Sequence, residues 1–588
     1  VRTSKLTKLL NRQLFEYKKM KNKELAQIFE KMADILEFKG DNVFKINAYR
    51  KASRTLKDLT VDVEQLREAG KLMEIPGVGS GIAKKIEEYL KTGKITKYEE
   101  AKEGISDEFL NMLNIPGMGP KTLSLIHKEL KISSLSELEK ALHEGKLRDL
   151  PGMGAKKEEN ILRGIKMLQR SQQRMTLGEV LPLVDEIIHA LKQKGSISKI
   201  QTAGSLRRMR ETIGDIDLLA MGKDNKKIVD DFTRLSLVTD VLAAGETKAS
   251  VIVQGGTQVD LRVVPEESYG AALQYFTGSK AHNIHLREIA RSKGLKVNEY
   301  GIFKGDKKIG GAKEEDIYDA LNVPIMPPEM REDRGEIEAA IKGKLPHLIE
   351  LSDIKGDFHV HSKWSDGSAT IEELAQKAKE LGYEYIVIAD HSQSLKIGGG
   401  LTEDELAEKI EEIKEVNKKL SGITVLSAAE VDIKADGLLD YSDEQLKALD
   451  VVIAAVHSGF KQTEGAMTQR ILKALDNPYV HILAHPTGGL IGAREPYSVD
   501  LEKVMKKAAD KKVALEINAY YERLDLNDTA CRRAKELGAK LAIGTDSHHL
   551  DQLWMMKLGV AVARRGWLEP DDVLNTYDLK KLKHWLRK

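Results

Sequence analysis

At 588 residues, 31% of them charged and 5% aromatic, the chain has the composition of a soluble protein with helical content and the length for roughly three to five domains. The formal charge of +2 hides an asymmetry: residues 1–60 hold fifteen Lys/Arg against seven Asp/Glu, which suits a polyanionic partner at that end. Cys531 is the only cysteine, which excludes an intrachain disulfide, and no apolar run approaches the ~18 residues of a membrane span or forms a signal core, so the expectation is a cytoplasmic protein.

A repeat dominates the first 170 residues: Ile75-Pro76-Gly77-Val78-Gly79, Ile115-Pro116-Gly117-Met118-Gly119 and Leu150-Pro151-Gly152-Met153-Gly154, spaced 40 and 35 residues apart. Each precedes Lys-bearing helical sequence, the pattern of helix-hairpin-helix units. Glycines at Gly77, Gly79, Gly117, Gly119, Gly152 and Gly154 permit the tight turn and let backbone N–H groups approach a phosphate, while nearby lysines add attraction blind to base sequence. One such motif is an ordinary helix turn; three suggest a clamp on a DNA backbone.

From Leu177 to Val323 the pattern changes to strands and helices. Gly204-Ser205-Leu206-Arg207-Arg208 precedes Gly214-Asp215-Ile216-Asp217, and Asp260 lies on another strand. Asp215 and Asp217 stand two apart on a strand, so their carboxylates share a face, and with Asp260 they would hold two divalent ions about 4 Å apart, Mg2+ or Mn2+. Gly204 admits a triphosphate close to the backbone, and Ser205 and Arg208 offer a hydroxyl and a guanidinium fork. A lone Asp-x-Asp is ordinarily a solvated strand or turn; the Gly-Ser upstream and third Asp downstream make a nucleotidyltransferase constellation.

Here the chain resembles the family X DNA polymerases. Tyr275-Phe276-Thr277-Gly278-Ser279 looks like the family's sugar-discriminating motif, and the resemblance implies nucleotide contacts at Tyr275, Phe276, Gly278, Asn283 and Arg287, with Asp260 promoting loss of the primer 3′-hydroxyl proton. Lys280 departs from DNA polymerase beta, which carries an acid there; a cation at that point would hold the incoming nucleotide with less dependence on template. Ile46-Asn47-Ala48-Tyr49-Arg50-Lys51 with Gly77 to Ile86 resembles the family's gap-binding domain. That implies 5′-phosphate binding by Lys45 and Tyr49, and aligns Lys85 with a Schiff-base lyase lysine whose pKa Lys84 would help lower. Phe44 and Gly81 depart from the pattern, so Lys85 touching only backbone phosphate stands as the alternative.

The proline-bearing, charged stretch from Pro324 to Asp333 reads as an interdomain linker. Beyond it come islands of histidine and carboxylate: Asp357-Phe358-His359-Val360-His361, Asp366, Asp390-His391, Glu430, His457, His485 and Asp546-Ser547-His548. Most close strand-like apolar runs separated by helix-length segments, which places them on one rim of a β/α barrel. A His-x-His step on a strand puts both imidazoles on one face, where one metal can take both. This region resembles the polymerase and histidinol phosphatase (PHP) domain, a distorted seven-stranded barrel with three metals, about three Mn2+ or Zn2+. The resemblance implies one ion on His359, His361, Glu430 and Asp546, a second on Glu430, His457 and His485, and a third on Asp366, His391 and His548. Arg494 would steady a phosphate, with an ordinary surface arginine as the alternative; His481 reads as packing and His549 as outer support or surface.

The expected organisation is a helical gap-binding domain over 1–100, a further helix-hairpin-helix domain over 101–176, a palm over 177–265, a thumb over 266–324, a linker over 325–352 and the barrel over 353–588. The expected function is a monomeric repair polymerase that takes gapped or nicked double-stranded DNA and dNTPs and trims 3′ ends in its barrel, with abasic-site incision or 3′-phosphate removal as further options. The alternatives are a metal-dependent nuclease whose polymerase-like half serves to bind DNA, a noncatalytic repair scaffold, and a small-molecule phosphatase.

Overall fold

The computed structural model describes residues 21–587 apart from 58–62, 76, 104, 106–108, 111, 116–117, 155–156, 159–160, 163–164 and 166–173. Residues 1–20, with part of the basic excess, and Gly117 of the second hairpin lie outside the described residues. The chain divides into two units, Val1–Gln173 and Arg174–Lys588.

The first unit is helical. Helices Lys21–Phe38 and Val43–Lys57 bury Leu25, Phe29, Ala33, Tyr49 and Leu56 against Ile86 of helix Ser80–Thr92. Gly77 turns with φ 82°, and a Cβ there would stand 2.7 Å from Lys51 Cγ, so the lysine stem crosses directly over the turn. Gly79 and Gly119 cap helices Ser80–Thr92 and Pro120–Leu130 without a side chain, in open space, and so leave the N–H groups of the first turn exposed in the way a phosphate clamp requires. A second core around Phe109, Leu123, Ile126, Leu138 and Ile161 supports the later repeats.

In the second unit, helix Leu177–Gln193 opens with a capping box of Thr176 and Glu179 and buries Leu177, Val180, Val184, Ile187 and Leu191, the three-and-four spacing of one helical face. It packs on a five-stranded sheet of β1 (Ile197–Thr202), β2 (Ile216–Gly222), β3 (Val238–Ala244), β4 (Lys248–Val253) and β5 (Gln258–Val263), ordered β1-β2-β5-β4-β3. Only β2 and β5 run parallel, in a register that sets Asp217 opposite Asp260. Helices Tyr269–Thr277 and Lys280–Ser292 follow, then the antiparallel strands β6 (Leu295–Asn298), β7 (Gly301–Lys304) and β8 (Lys307–Gly310).

The segment read as a linker is packed. Met326, Met330 and Arg331 are 1% exposed, and Ile337 and Ala340 of helix Glu336–Ile341 join the same core as Leu286 and Tyr318. Arg331 is buried because Glu314 (2.5 Å) and the Met326 carbonyl (3.0 Å) take its donors. Prolines and charges look alike in a linker and in a buried ion-paired segment, which is why composition misread it.

The third region is a parallel sheet of β9 (Gly356–Val360), β10 (Tyr385–Ile388), β11 (Thr424–Asp432), β12 (Val451–Ala455), β13 (Ile482–Leu483), β14 (Ala514–Asn518) and β15 (Leu541–Gly544), in sequence order. The first strand meets the end of the last at a bridge between Val360 and Ser547, so the sheet curls into a nearly closed seven-stranded barrel. Nearly unbroken apolar runs form these strands because both faces are buried. Helix Met556–Arg565 lies beside the palm: a Cβ on Gly178 would stand 2.3 Å from Tyr521 Cβ, and palm and barrel residues share one apolar core.

Lys409 is fully buried and spends three donors on Asp390 (2.8 Å) and the carbonyls of Ile388 (3.0 Å) and Ala428 (2.9 Å). Asp390 in turn accepts from Ser362 and Ser365, which hold the loop between His361 and Asp366. Lys409→Met would leave a buried carboxylate unpaired, and we expect a loss of about 3 kcal/mol or more in barrel stability, read as a lower unfolding midpoint.

Two candidate metal centres

In the palm, ligand atoms of Asp215, Asp217 and Asp260 all lie within 4.8 Å of one another. Burial, then Asp215 and Asp260, push the Asp217 carboxyl up to about 7. Three carboxylates this close cannot all ionise cheaply alone, and divalent cations remove the penalty. The Ala203 N–H donates to the Asp217 carbonyl at 2.8 Å, which ties the glycine loop to the strand carrying the acids. Gly204, at φ 58°, has no room for a Cβ, which would fall 2.1 Å from Asp217 Oδ2. Gln258 donates to both oxygens of Asp260 at 3.2 and 3.1 Å.

Ser205 is half-buried at the head of this loop. The Arg208 fork is not free as expected: Nε donates to Glu332 at 3.1 Å and Nη1 to the Thr277 carbonyl at 2.5 Å. Glu332 lies in the segment read as linker, so sequence spacing gave no sign of it. Tyr275 and Phe276 meet edge to face at 5.1 Å, with Arg262 over the Phe276 ring at 4.4 Å. Gly278 has φ 67°, beside Arg208. Lys280 is exposed on the first turn of its helix. Asn283 donates to the Tyr275 carbonyl and accepts from Gln274, both at 2.7 Å, and the exposed Arg287 donates to the Asn283 carbonyl at 3.1 Å. These bonds set the motif's backbone.

In the barrel, all nine expected residues converge. Glu430 Oε1 lies 2.8 Å from His485 Nε2 and 3.2 Å from His457 Nε2; Oε2 lies 3.5 Å from His359 Nε2, 3.8 Å from His361 Nε2 and 2.8 Å from His391 Nδ1. Asp546 Oδ1 stands 3.2 Å from His361 Nε2 and 3.8 Å from His359 Nε2, and Asp366 stands 3.4 Å from His391 and 3.3 Å from His548. Three groups have ligand geometry: His361, Asp366, His391 and His548; His359, His361 and Asp546; His391, Glu430 and His457. His361 and His391 each face two groups, so the division into three separate sets is less sharp than expected.

The donor set fits divalent cations on its own chemistry. His359 Nε2, both nitrogens of His361, and one nitrogen each of His391 and His485 are buried without a hydrogen-bond partner, which a folded protein rarely tolerates unless a ligand takes them. Burial opposes charge on His391 and His457, yet neighbouring carboxylates, Glu430 foremost, push them up to about 10 and about 9. Burial and the rings of His548 and His391 push His361 down to about 4. Without cations the cluster must take protons; with them it need not.

Sequence reasoning missed the residues behind these rings. Glu516 accepts from His359 Nδ1 at 2.7 Å and Asp432 from His457 Nδ1 at 2.6 Å, which turns each Nε2 toward the cluster. Asp432 was legible, since Glu430-Val431-Asp432 repeats the alternation of His359-Val360-His361. Arg523 was also missed: its Nε stands 3.5 Å from Asp546 Oδ2 and its Nη1 is buried without a partner. Arg494 instead donates to the Gly488 carbonyl at 2.8 Å and lies on the Phe460 ring at 4.3 Å. His481 packs as read, bonded to Val452 and the Leu586 carbonyl.

In the helical unit Lys45 is exposed and pairs with Asp41 at 2.7 Å. Tyr49 is 6% exposed and packs in the helical core, and it carries the Lys85 ammonium 5.8 Å above its ring. Burial, against the pull of Glu88, lowers the Lys85 pKa, the direction a Schiff-base amine needs. Lys84 is exposed on the same helix.

These parts define a DNA polymerase fused to a hydrolytic barrel, and comparison with known proteins agrees. Residues 20–95 match the helix-hairpin-helix domain, 109–167 the SAM-like helix-hairpin-helix tandem, 272–332 the DNA polymerase beta thumb and 357–522 the PHP domain. The chain is 38% identical over 574 residues to the DNA polymerase/3′-5′ exonuclease PolX of Bacillus subtilis, covering 97% of this chain and all of that protein. A probable phosphatase of Thermoanaerobacter sp. (strain X514) is 30% identical over 243 residues, 39% of this chain and 94% of its own. DNA polymerase lambda of Rattus norvegicus is 24% identical over 344 residues, 53% of this chain and 56% of its own. The chain belongs to the family X DNA polymerases that carry a carboxyl-terminal PHP domain.

Gly204→Ala forces a methyl group into Asp217. We expect gap filling to fall about 100-fold or more, with end trimming at the barrel retained, in paired assays on one preparation.

Proposed function

We propose that the chain fills short gaps in double-stranded DNA from dNTPs, acting as a monomer, and removes mismatched or blocked 3′ ends in its barrel. The observation that carries this reading is the pairing, within one unit, of an in-register Asp217–Asp260 site with a nine-residue imidazole and carboxylate cluster. The helical unit, with its repeated phosphate-clamp turns, supplies DNA affinity blind to base sequence. No helix among the described residues is long and apolar enough to cross a membrane.

In the palm, Asp215, Asp217 and Asp260 would hold two Mg2+ or Mn2+. Asp260, oriented by Gln258, takes the proton of the primer 3′-hydroxyl, while Gly204 and Ser205 receive the triphosphate and Arg208 its negative charge. Tyr275 and Phe276, braced by Asn283, bound the sugar, and Lys280 and Arg287 are exposed cations toward nucleotide and nascent pair.

In the barrel, His359, His361, Glu430 and Asp546, then Glu430, His457 and His485, then Asp366, His391 and His548 would hold about three Mn2+ or Zn2+. Such ions, when bound, activate water and neutralise the leaving oxygen of a phosphodiester. Glu516 and Asp432 fix the rings of His359 and His457, and Arg523 offers a phosphate oxygen the donor first expected of Arg494. The DNA-binding unit on the same chain favours a nucleic-acid end over a small phosphate ester as substrate.

Primer extension and mismatched-end removal on gapped DNA should separate the sites. Asp260→Ala should abolish extension and spare trimming, and His361→Ala should do the reverse; extension surviving the first, or trimming surviving the second, refutes that assignment. In calorimetry, Mn2+ at a hundredfold excess over its dissociation constant should stabilise the metal-stripped chain by about 2.7 kcal/mol for each site it fills, and Glu430→Gln should remove most of the barrel's share.

A further inference from the structure

Helix Met556–Arg565 of the barrel domain sends one side chain to the back of the polymerase loop. Arg565 is 1% exposed; Nη1 lies 2.7 Å from the Arg208 carbonyl, 3.1 Å from Glu332 Oε1 and 3.4 Å from the Glu329 carbonyl, and Nη2 lies 2.7 Å from Asp528 Oδ2. Glu332 is therefore shared. The same Oε1 takes Arg208 Nε at 3.1 Å and stands 3.8 Å from Arg210 Nη1. Arg208 and Glu332 are only 13% and 11% exposed, so water screens the pair poorly.

This arrangement poses a choice for Arg208. Its guanidinium is closed by Glu332 and the Thr277 carbonyl, yet it sits on the loop of Gly204 and Ser205, against Gly278. An anion entering that loop competes with Glu332 for the same cation. Were Arg208 to leave, Glu332 would be stranded in a poorly hydrated place if it had no other partner. Arg210 stands farther off, at 3.8 Å, and is 39% exposed; the close and buried partner is Arg565. Arg565 already bonds the same carboxylate oxygen and is anchored from behind by Asp528, so it stays in place while Arg208 moves.

We infer that Glu332 and Arg565 are positioning residues for the incoming nucleotide: Glu332 holds Arg208 until a triphosphate displaces it, and Arg565, reaching in from the barrel domain, keeps Glu332 neutralised afterwards. The inference rests on the reading that Arg208 receives the triphosphate. It makes nucleotide affinity in the palm depend on a side chain that belongs to the other catalytic domain. Neither residue touches the nucleotide, so both act through Arg208.

Equilibrium binding of a nonhydrolysable dNTP analogue to the full chain on dideoxy-terminated gapped DNA tests the exchange. Glu332→Gln removes the competitor and should tighten binding about tenfold; Arg565→Ala leaves Glu332 with Arg208 as its nearest cation and should weaken it by a similar factor. Arg565→Lys should recover part of the loss, and Glu332→Gln combined with Arg565→Ala should bind at least as well as the unchanged chain, because no carboxylate remains to strand. Unfolding midpoints and barrel trimming monitor folding in each variant. An Arg565 that merely buttresses the fold would weaken binding whether or not Glu332 is present, and that outcome overturns the exchange, as does Glu332→Gln without a gain. If Arg208→Ala leaves affinity unchanged, the reading of Arg208 itself falls; if it weakens binding while Glu332→Gln does nothing, only the exchange falls.

Discussion

Glu430 is the charge on which the barrel is organised. Its carboxylate is buried, and five imidazoles from four strand ends approach within 3.8 Å. A buried carboxylate demands compensation, and neutral imidazoles compensate only by taking protons or by sharing cations with it. That demand explains the second layer: Glu516 and Asp432 hold their rings by the nitrogen away from Glu430, and Lys409 with Asp390 stiffens the loop that brings Asp366 up. The backbone bends to meet it too, with His485 at φ 26° and Asp546 at φ 53°, conformations that residues other than glycine adopt at some cost.

The palm solves the same problem by different means. Two strands that run parallel at a single point in the sheet set Asp217 and Asp260 abreast, and the glycine before the short helix is required by the carboxylate it abuts. Local backbone geometry thus does in the palm what converging loops do in the barrel. In both, acids are crowded more closely than water alone would permit, and the crowding selects divalent cations.

Much of this was legible because strands alternate sides with period two. His359 and His361, Asp215 and Asp217, and Asp546 and His548 share faces for that reason alone, and apolar runs ending in such residues marked strand ends. The first and third Pro-Gly-x-Gly turns were legible because a tight turn needs glycine, Gly77 at φ 82° and Gly152 at φ 72°. What escaped was whatever depends on distant segments meeting. Arg523 sits in a polar loop with no periodicity, and nothing local ties it to Asp546. Glu332 and Arg331 lie in a stretch whose prolines and charges mimic a linker, though Arg331 is among the most buried side chains of the chain. Tyr49 shows a side the motif did not reveal, since a residue expected at a phosphate also packs in the helical core.

Gly178 carries a consequence for how such a protein can change over time. With no space for even a methyl group between the first palm helix and Tyr521 of the barrel, the two domains are fitted to each other atom by atom along a common apolar seam. A barrel borrowed from another lineage would meet this palm with the wrong surface, and a palm released from its barrel would lay open the helix face at Gly178 that Tyr521 and Leu558 cover. Synthesis and removal of nucleotides are in this chain a single heritable object, closed at the junction between its two chemistries.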